Sequence, residues 1–180
     1  MKNPSPTEAK QLSPGDGVIL LVGDYDPPHV EYSRAMDALF GRPGISSVWA
    51  CPLWSPGTNI GRVRDMGAMF CAEYASGTKR MPTLFTVALD LRLAAVGDVL
   101  KWCNVHYPSL GFTTASLSPA IPGCDVIIAF AGSPASKGTM LLGKFLPVGD
   151  VKGRIRQGSD ESRSFMGNVW AYVQENRLYR

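Results

Sequence analysis

Residues 17–32 read GVILLVGDYDPPHVEY, and this stretch decides how the rest of the chain is read. Val18, Ile19, Leu20, Leu21 and Val22 form a short continuous apolar run. Such a run suits a strand buried on both faces, as in a parallel sheet, although periodicity alone leaves a buried helix open. Gly23 permits a tight turn and close approach of a ligand to the backbone. Asp26-Pro27-Pro28 keeps the loop extended and ends the strand. From His29 onward, Tyr32, Ala35, Met36, Leu39 and Phe40 recur at helical spacing. A strand that feeds a helix through such a loop presents backbone N–H groups and a helix N-terminus, for which a phosphate is a usual guest.

Outward from this unit, Ile45 to Leu53 reads as a second strand and Ile60 to Ala75 as a helix ending before Gly77. Leu84 to Leu91 reads as a third strand, Leu93 to Tyr107 as a helix stopped by Pro108, and Gly111 to Leu117 as a short strand. Cys124 to Ala131 is a strong strand signal. Ser164 to Leu178 reads as a closing helix. Strands alternating with helices predict an α/β fold: a Rossmann-like, doubly wound parallel sheet of about five strands with helices on both faces. Ligands of such sheets bind at the carboxyl ends of the strands, which singles out the loop after the first.

The bulk properties set bounds. A length of 180 residues predicts one domain, assigned to 16–180, preceded by a polar, Pro-rich flexible arm over 1–15. With 45% hydrophobic and 18% charged residues, the composition is that of a soluble globular protein, and the arm lacks the apolar segment of a signal peptide. The net charge of +3 suits a nucleotide ligand and is too small to argue for DNA or RNA. No apolar run is long enough to span a membrane. Cys51, Cys71, Cys103 and Cys124 form no CxxC pair and read as reduced, buried thiols of a cytoplasmic protein. Only His29 and His106 are present, which argues against a histidine-based zinc site. In Gly132–Thr139, GSPASKGT, lysine precedes glycine, the reverse of a P-loop.

The loop Gly23-Asp24-Tyr25-Asp26-Pro27-Pro28-His29-Val30-Glu31-Tyr32 resembles the GxFDPxHxGH signature of the nucleotidyltransferase superfamily, and within it the nicotinate mononucleotide adenylyltransferases. Glu31 replaces the glycine and Tyr32 the second histidine. Val48-Trp49-Ala50-Cys51-Pro52 is similar to the family's second strand, Trp102 to Pro108 to its helix ending in Y-P, and Val169 to Tyr179 to its closing V-x-x-Y-I-x-x-x-x-L-Y segment. Arg154-Ile155-Arg156-Gln157-Gly158 resembles the stretch before that helix. The family's I-S-S-T-x-I-R phosphate motif falls on Leu146 to Lys152, where the hydroxyls are gone and Lys152 stands in the arginine position.

The resemblance implies adenylyl transfer from ATP, with Mg2+, to nicotinate or nicotinamide mononucleotide or a related phosphate acceptor. Such catalysis is positioning plus charge neutralisation, with no covalent enzyme intermediate. It implies His29 as the catalytic contact. Gly23, Asp24, Tyr25, Asp26, Tyr32, Lys152 and Arg154 would contact the nucleotide or its phosphates, and Trp54, Arg62 and Arg64 would lie in the substrate loop region. Tyr32 can donate a hydrogen bond but brings no positive charge near neutral pH. The alternative is a nucleotidyltransferase-fold protein that has lost catalysis and binds a nucleotide or serves as an interaction subunit. Residue types leave the oligomeric state open.

Overall fold

A computed structural model describes residues 15–132, 138–142 and 150–180. Most of the expected arm, part of the GSPASKGT loop and most of the Leu146–Lys152 stretch lie outside the described residues. In chain order the elements are β1 (Gly17–Gly23), α1 (Val30–Phe40), β2 (Ile45–Pro52), α2 (Ile60–Thr78), β3 (Thr83–Leu84), α3 (Val87–Asp90), α4 (Val96–His106), β4 (Thr113–Ser118), β5 (Cys124–Phe130), β6 (Thr139–Leu141), α5 (Val151–Arg156), a 3-10 turn (Ser162–Ser164) and α6 (Gly167–Glu175).

β1 lies inside a six-stranded sheet of order β3-β2-β1-β5-β4-β6, and all seven of its residues are buried. Side chains alternate across a strand, so β1 feeds two cores. Ile19 and Leu21 pack with Tyr32, Met36 and Leu39 of α1, Val63, Met66 and Phe70 of α2, and Val169 and Val173 of α6. Val18, Leu20 and Val22 pack on the other side with Phe85, Val87, Val99 and Cys103. The sheet is therefore covered by helices on both faces, which explains why β1 is an unbroken apolar run rather than an alternating one.

The sheet is mostly parallel but not wholly so. β1 pairs parallel with β2, β2 with β3, and β4 with β6, whereas β5 runs antiparallel to both β1 and β4. The cause lies in the link 119–123, Pro-Ala-Ile-Pro-Gly, with Gly123 at φ +69°. A parallel connection needs roughly a dozen residues or more, whereas a short turn joins only antiparallel neighbours. The expected all-parallel order is thus corrected at β5.

The third strand is also shorter than the apolar run suggests. Only Thr83 and Leu84 pair with β2, at Trp49 and Ala50, and the chain then coils into α3. Val87, Ala88 and Leu89 are consecutive and all buried, which one turn of helix in a core permits and a strand covered on a single face does not. The Thr86 hydroxyl donates to Asp90 across that turn. The four cysteines are buried and unpaired, and burial pushes the Cys71 and Cys103 thiols up to about 12. Among the described residues no helix is long and apolar enough to cross a membrane.

Because Leu20 is fully buried at the centre of the sheet, Leu20→Ala should lower the unfolding free energy by about 2–5 kcal/mol. Urea denaturation followed by circular dichroism measures this, and a loss below about 1 kcal/mol would place Leu20 outside a packed core.

Candidate functional site

The loop after β1 leaves the sheet at its carboxyl edge, where the chain brings several distant charged groups together. Asp24 begins the turn: its Oδ1 accepts from the Asp26 amide at 3.0 Å. Asp26 then faces inward. Its carboxylate accepts two hydrogen bonds from Arg62, from Nε at 3.0 Å and from Nη2 at 2.6 Å. This is the fork geometry that suits a guanidinium to a carboxylate. Arg62 is placed by the start of α2, whose N-cap Asn59 accepts from the Arg62 amide at 3.0 Å.

Lys152 arrives from the opposite end of the sequence. Its Nζ donates to Asp24 Oδ2 at 3.2 Å and lies 3.9 Å from Asp26 Oδ2. The start of α5 sets its position: Asp150 caps the helix by accepting from the Gly153 amide at 2.9 Å. A Cβ at Gly153 would meet the Asp150 carboxylate at 2.2 Å, so glycine there makes room for the cap.

The last member is Tyr179. Its hydroxyl donates to Asp26 Oδ1, and its ring lies 5.5 Å from both the Arg62 guanidinium carbon and Lys152 Nζ, within cation–π range. Burial, and then the hydrogen bond to Asp26, hold this hydroxyl protonated well above the ordinary tyrosine range. Asp26 is thereby left with 13% of its side chain exposed, against 65% for Asp24.

His29 is the N-cap residue of α1, in extended backbone, and its side chain makes no cap hydrogen bond. Its Nδ1 is buried without a hydrogen-bond partner, 3.4 Å from Glu31 Oε2. Burial of the imidazole pushes it from 6.5 to about 4. At neutral pH His29 is therefore uncharged and can offer a phosphate one hydrogen bond, not a positive charge.

Tyr32 is fully buried and donates to the Asp24 carbonyl at 2.8 Å. Tyr25 is fully buried too and donates to the Leu21 carbonyl at 2.9 Å, with the two rings 4.3 Å apart. Both side chains hold the loop to the core and offer a ligand no surface. Gly23 serves the same packing. A Cβ there would meet Tyr32 Oη at 2.6 Å and the Gly123 carbonyl at 2.9 Å, so the space freed by glycine is filled by the protein itself.

The structure thus brings together Asp24, Asp26, Arg62 and Lys152 of the expected residues, with His29 in the same loop. It does not bring in Arg64, which pairs with Asp90, or Arg154, whose Nε and Nη2 bind Glu161 at 2.6 and 2.9 Å. Trp54 is half-buried, packs against the first core and donates its amide to the Leu93 carbonyl at 3.1 Å. Sequence reasoning gave no site role to Tyr179, whose signal was its place at the end of the L-Y segment. It also missed Glu31 beside His29, which stands where the family signature has glycine.

For magnesium the donor set is a poor fit. Among the described residues no three His, Cys, Asp or Glu side chains form a metal-holding group, and Asp24 and Asp26 face cations. Two open concavities lie elsewhere among the described residues. One of about 700 Å3 is bounded by Ile155, Trp170 and Arg180, and one of about 600 Å3 by Cys71, Met81 and Leu84.

No protein-family model matches the chain, and no curated protein matches it significantly.

Two outcomes follow from this geometry. Gly23→Ala should destabilise the protein by about 1–3 kcal/mol, read by urea denaturation, because its Cβ overlaps a backbone carbonyl that has little room to yield. His29 has a folded value below its unfolded one, so the unfolded chain binds more protons between about pH 6.5 and 4. Stability should be fully present above pH 6.5 and fall as the pH drops through that window. The shift from 6.5 to about 4 makes the loss at most about 3 kcal/mol. His29→Gln should flatten the fall, and an unchanged pH profile would show that another group carries it.

Proposed function

We propose that the chain is a nucleotidyltransferase-like protein that binds a nucleotide or a related phosphate ligand at the loop after β1 and does not transfer an adenylyl group. The observation that carries this reading is the convergence of Arg62 and Lys152, from α2 and α5, on Asp24 and Asp26. A loop at the carboxyl end of a central strand, met by two cations from distant elements, is the arrangement a phosphate ligand uses. Lys152 reaches the loop from the position where the resembled family has its phosphate-motif arginine.

Three features support loss of transfer. Arg62 and Lys152 face two carboxylates, which cancel most of the field that a triphosphate in transition would need. His29 is neutral. Tyr32, in the place of the second histidine, is committed to the Asp24 carbonyl and is buried. Loss of one preorganised charge donor costs roughly 10²-fold or more in rate, so these losses together leave little catalysis. The β3-β2-β1 half stands, in this reading, for a doubly wound Rossmann-like architecture, with the β4–β5 hairpin as a departure from it. Any magnesium would come with the phosphates of the ligand, which together with water supply much of its coordination. The buried, unpaired thiols fit a cytoplasmic setting.

Titration calorimetry with ATP and magnesium, paired with a pyrophosphate-release assay on nicotinate mononucleotide, tests the reading. Binding without pyrophosphate release is expected. Asp26→Asn, which removes the charge that holds Arg62 and keeps an amide oxygen as acceptor, should tighten ATP binding about tenfold, and Arg62→Ala should weaken it by a similar factor. Pyrophosphate release that disappears in His29→Ala would overturn the loss of transfer. Absence of ATP binding in both the wild type and Asp26→Asn would overturn the ligand site.

A further inference from the structure

Tyr179 stands in an unusual position for a residue beyond the last helix. It follows Glu175, where α6 ends, and the short segment that carries it includes Arg177 at φ +50° and Tyr179 at φ +64°. Left-handed backbone is unfavourable at a non-glycine residue. The Arg177 and Leu178 amides donate to the Gln174 and Val173 carbonyls at 3.1 and 3.0 Å and close the end of α6, and the Tyr179 side chain packs on the first core and reaches the candidate site. Its hydroxyl is bound by Asp26, and Arg62 and Lys152 both lie over its ring.

The three groups that grip Tyr179 define what they can grip. Two cations near one ring favour a planar π-system with a negative face. A carboxylate at the ring edge favours a hydrogen-bond donor there. A nucleobase with an exocyclic amino group meets both demands, and its phosphates would then meet the same two cations.

Resting on the phosphate-site reading above, we infer that Asp26, Arg62 and Lys152 form a slot for a planar aromatic ring carrying a donor, that Tyr179 fills this slot as an internal plug, and that an adenine nucleotide enters by displacing it. The ligand class is an aromatic ring joined to an anion, rather than a bare polyphosphate. The plug lowers apparent affinity by the fraction of molecules in which the slot is open.

The test compares ATP with tripolyphosphate, which has the charge and no ring, on the wild type, Tyr179→Ala and Tyr179→Phe by titration calorimetry. Thermal unfolding of each variant checks that it is folded. Tyr179→Ala should bind ATP about tenfold more tightly than the wild type and tripolyphosphate with little change. Tyr179→Phe keeps the ring and loses the hydroxyl, so it should fall between the other two for ATP. Trypsin cleavage after the exposed Arg177 adds a readout that does not depend on affinity. ATP should accelerate that cut in the wild type, and tripolyphosphate should not. If the wild type binds ATP but Tyr179→Ala binds it no better, or gains equally for both ligands, the plug is overturned and the phosphate site stands. If ATP slows the cut after Arg177, the segment closes over the ligand instead, and the plug is again overturned. If neither the wild type nor Tyr179→Ala binds either ligand, the phosphate site fails and the plug fails with it.

Discussion

The Asp26 carboxylate is approached by Arg62, Lys152 and the Tyr179 hydroxyl, groups that lie 36 to 153 residues away in sequence. A carboxylate with only 13% of its side chain exposed is costly to bury without such partners. In turn each partner fixes an element. Arg62 ties the start of α2 to the loop, Lys152 ties α5, and Tyr179 ties the segment after α6. The carboxyl edge of β1 is closed by this one group. The cost of breaking a partly buried pair falls mainly on the charge left behind, so the four groups hold together as a unit.

Much of the fold was legible because its signals are local. A five-residue apolar run in β1 announced burial on both faces, and the two cores of the structure are its odd and even residues. Helical spacing in α1, α2 and α6 marked the faces that pack on the first core. What was missed was equally local in origin. The link 119–123 is too short for a crossover, so the hairpin of β4 and β5 was readable from Pro119, Pro122 and Gly123 and was hidden by the expectation of a repeating strand–helix pattern. The run after Leu84 failed for another reason. Short apolar runs do not distinguish a strand from a buried helical turn, and here Val87 and Ala88 enter the second core while Leu89 enters the first, from a single helical turn.

The site was legible only in part, and the division follows the range of the interactions. The loop could be found from Gly23 to His29 because its chemistry is contiguous. The resemblance singled out Lys152, and the structure sets its Nζ beside Asp24, 128 residues away in sequence. Pairing was not legible. Nothing in the residue types says that Arg154 is taken by Glu161, seven residues on, while Arg62 is taken by Asp26. Composition likewise could not show that the two central cations face two carboxylates.

Charge balance at the site also explains how Tyr32 fits the position where the family signature has a histidine. A second histidine beside His29 would add a titratable cation, whereas the chain has put a tyrosine there and buried it. The hydroxyl of Tyr32 takes the Asp24 carbonyl, and its ring lies 4.3 Å from that of Tyr25 and 4.7 Å from that of His29. These contacts make the loop part of the core, and the same burial keeps His29 neutral. Rigidity and charge are therefore traded at one position. A loop fixed by Tyr25 and Tyr32 is ordered by the core itself. With the loop fixed, the adjustable parts are Lys152, Arg62 and Tyr179, which approach it from outside. Any ligand response of this site must therefore come from the movement of those side chains relative to Asp26, and not from the loop that carries it.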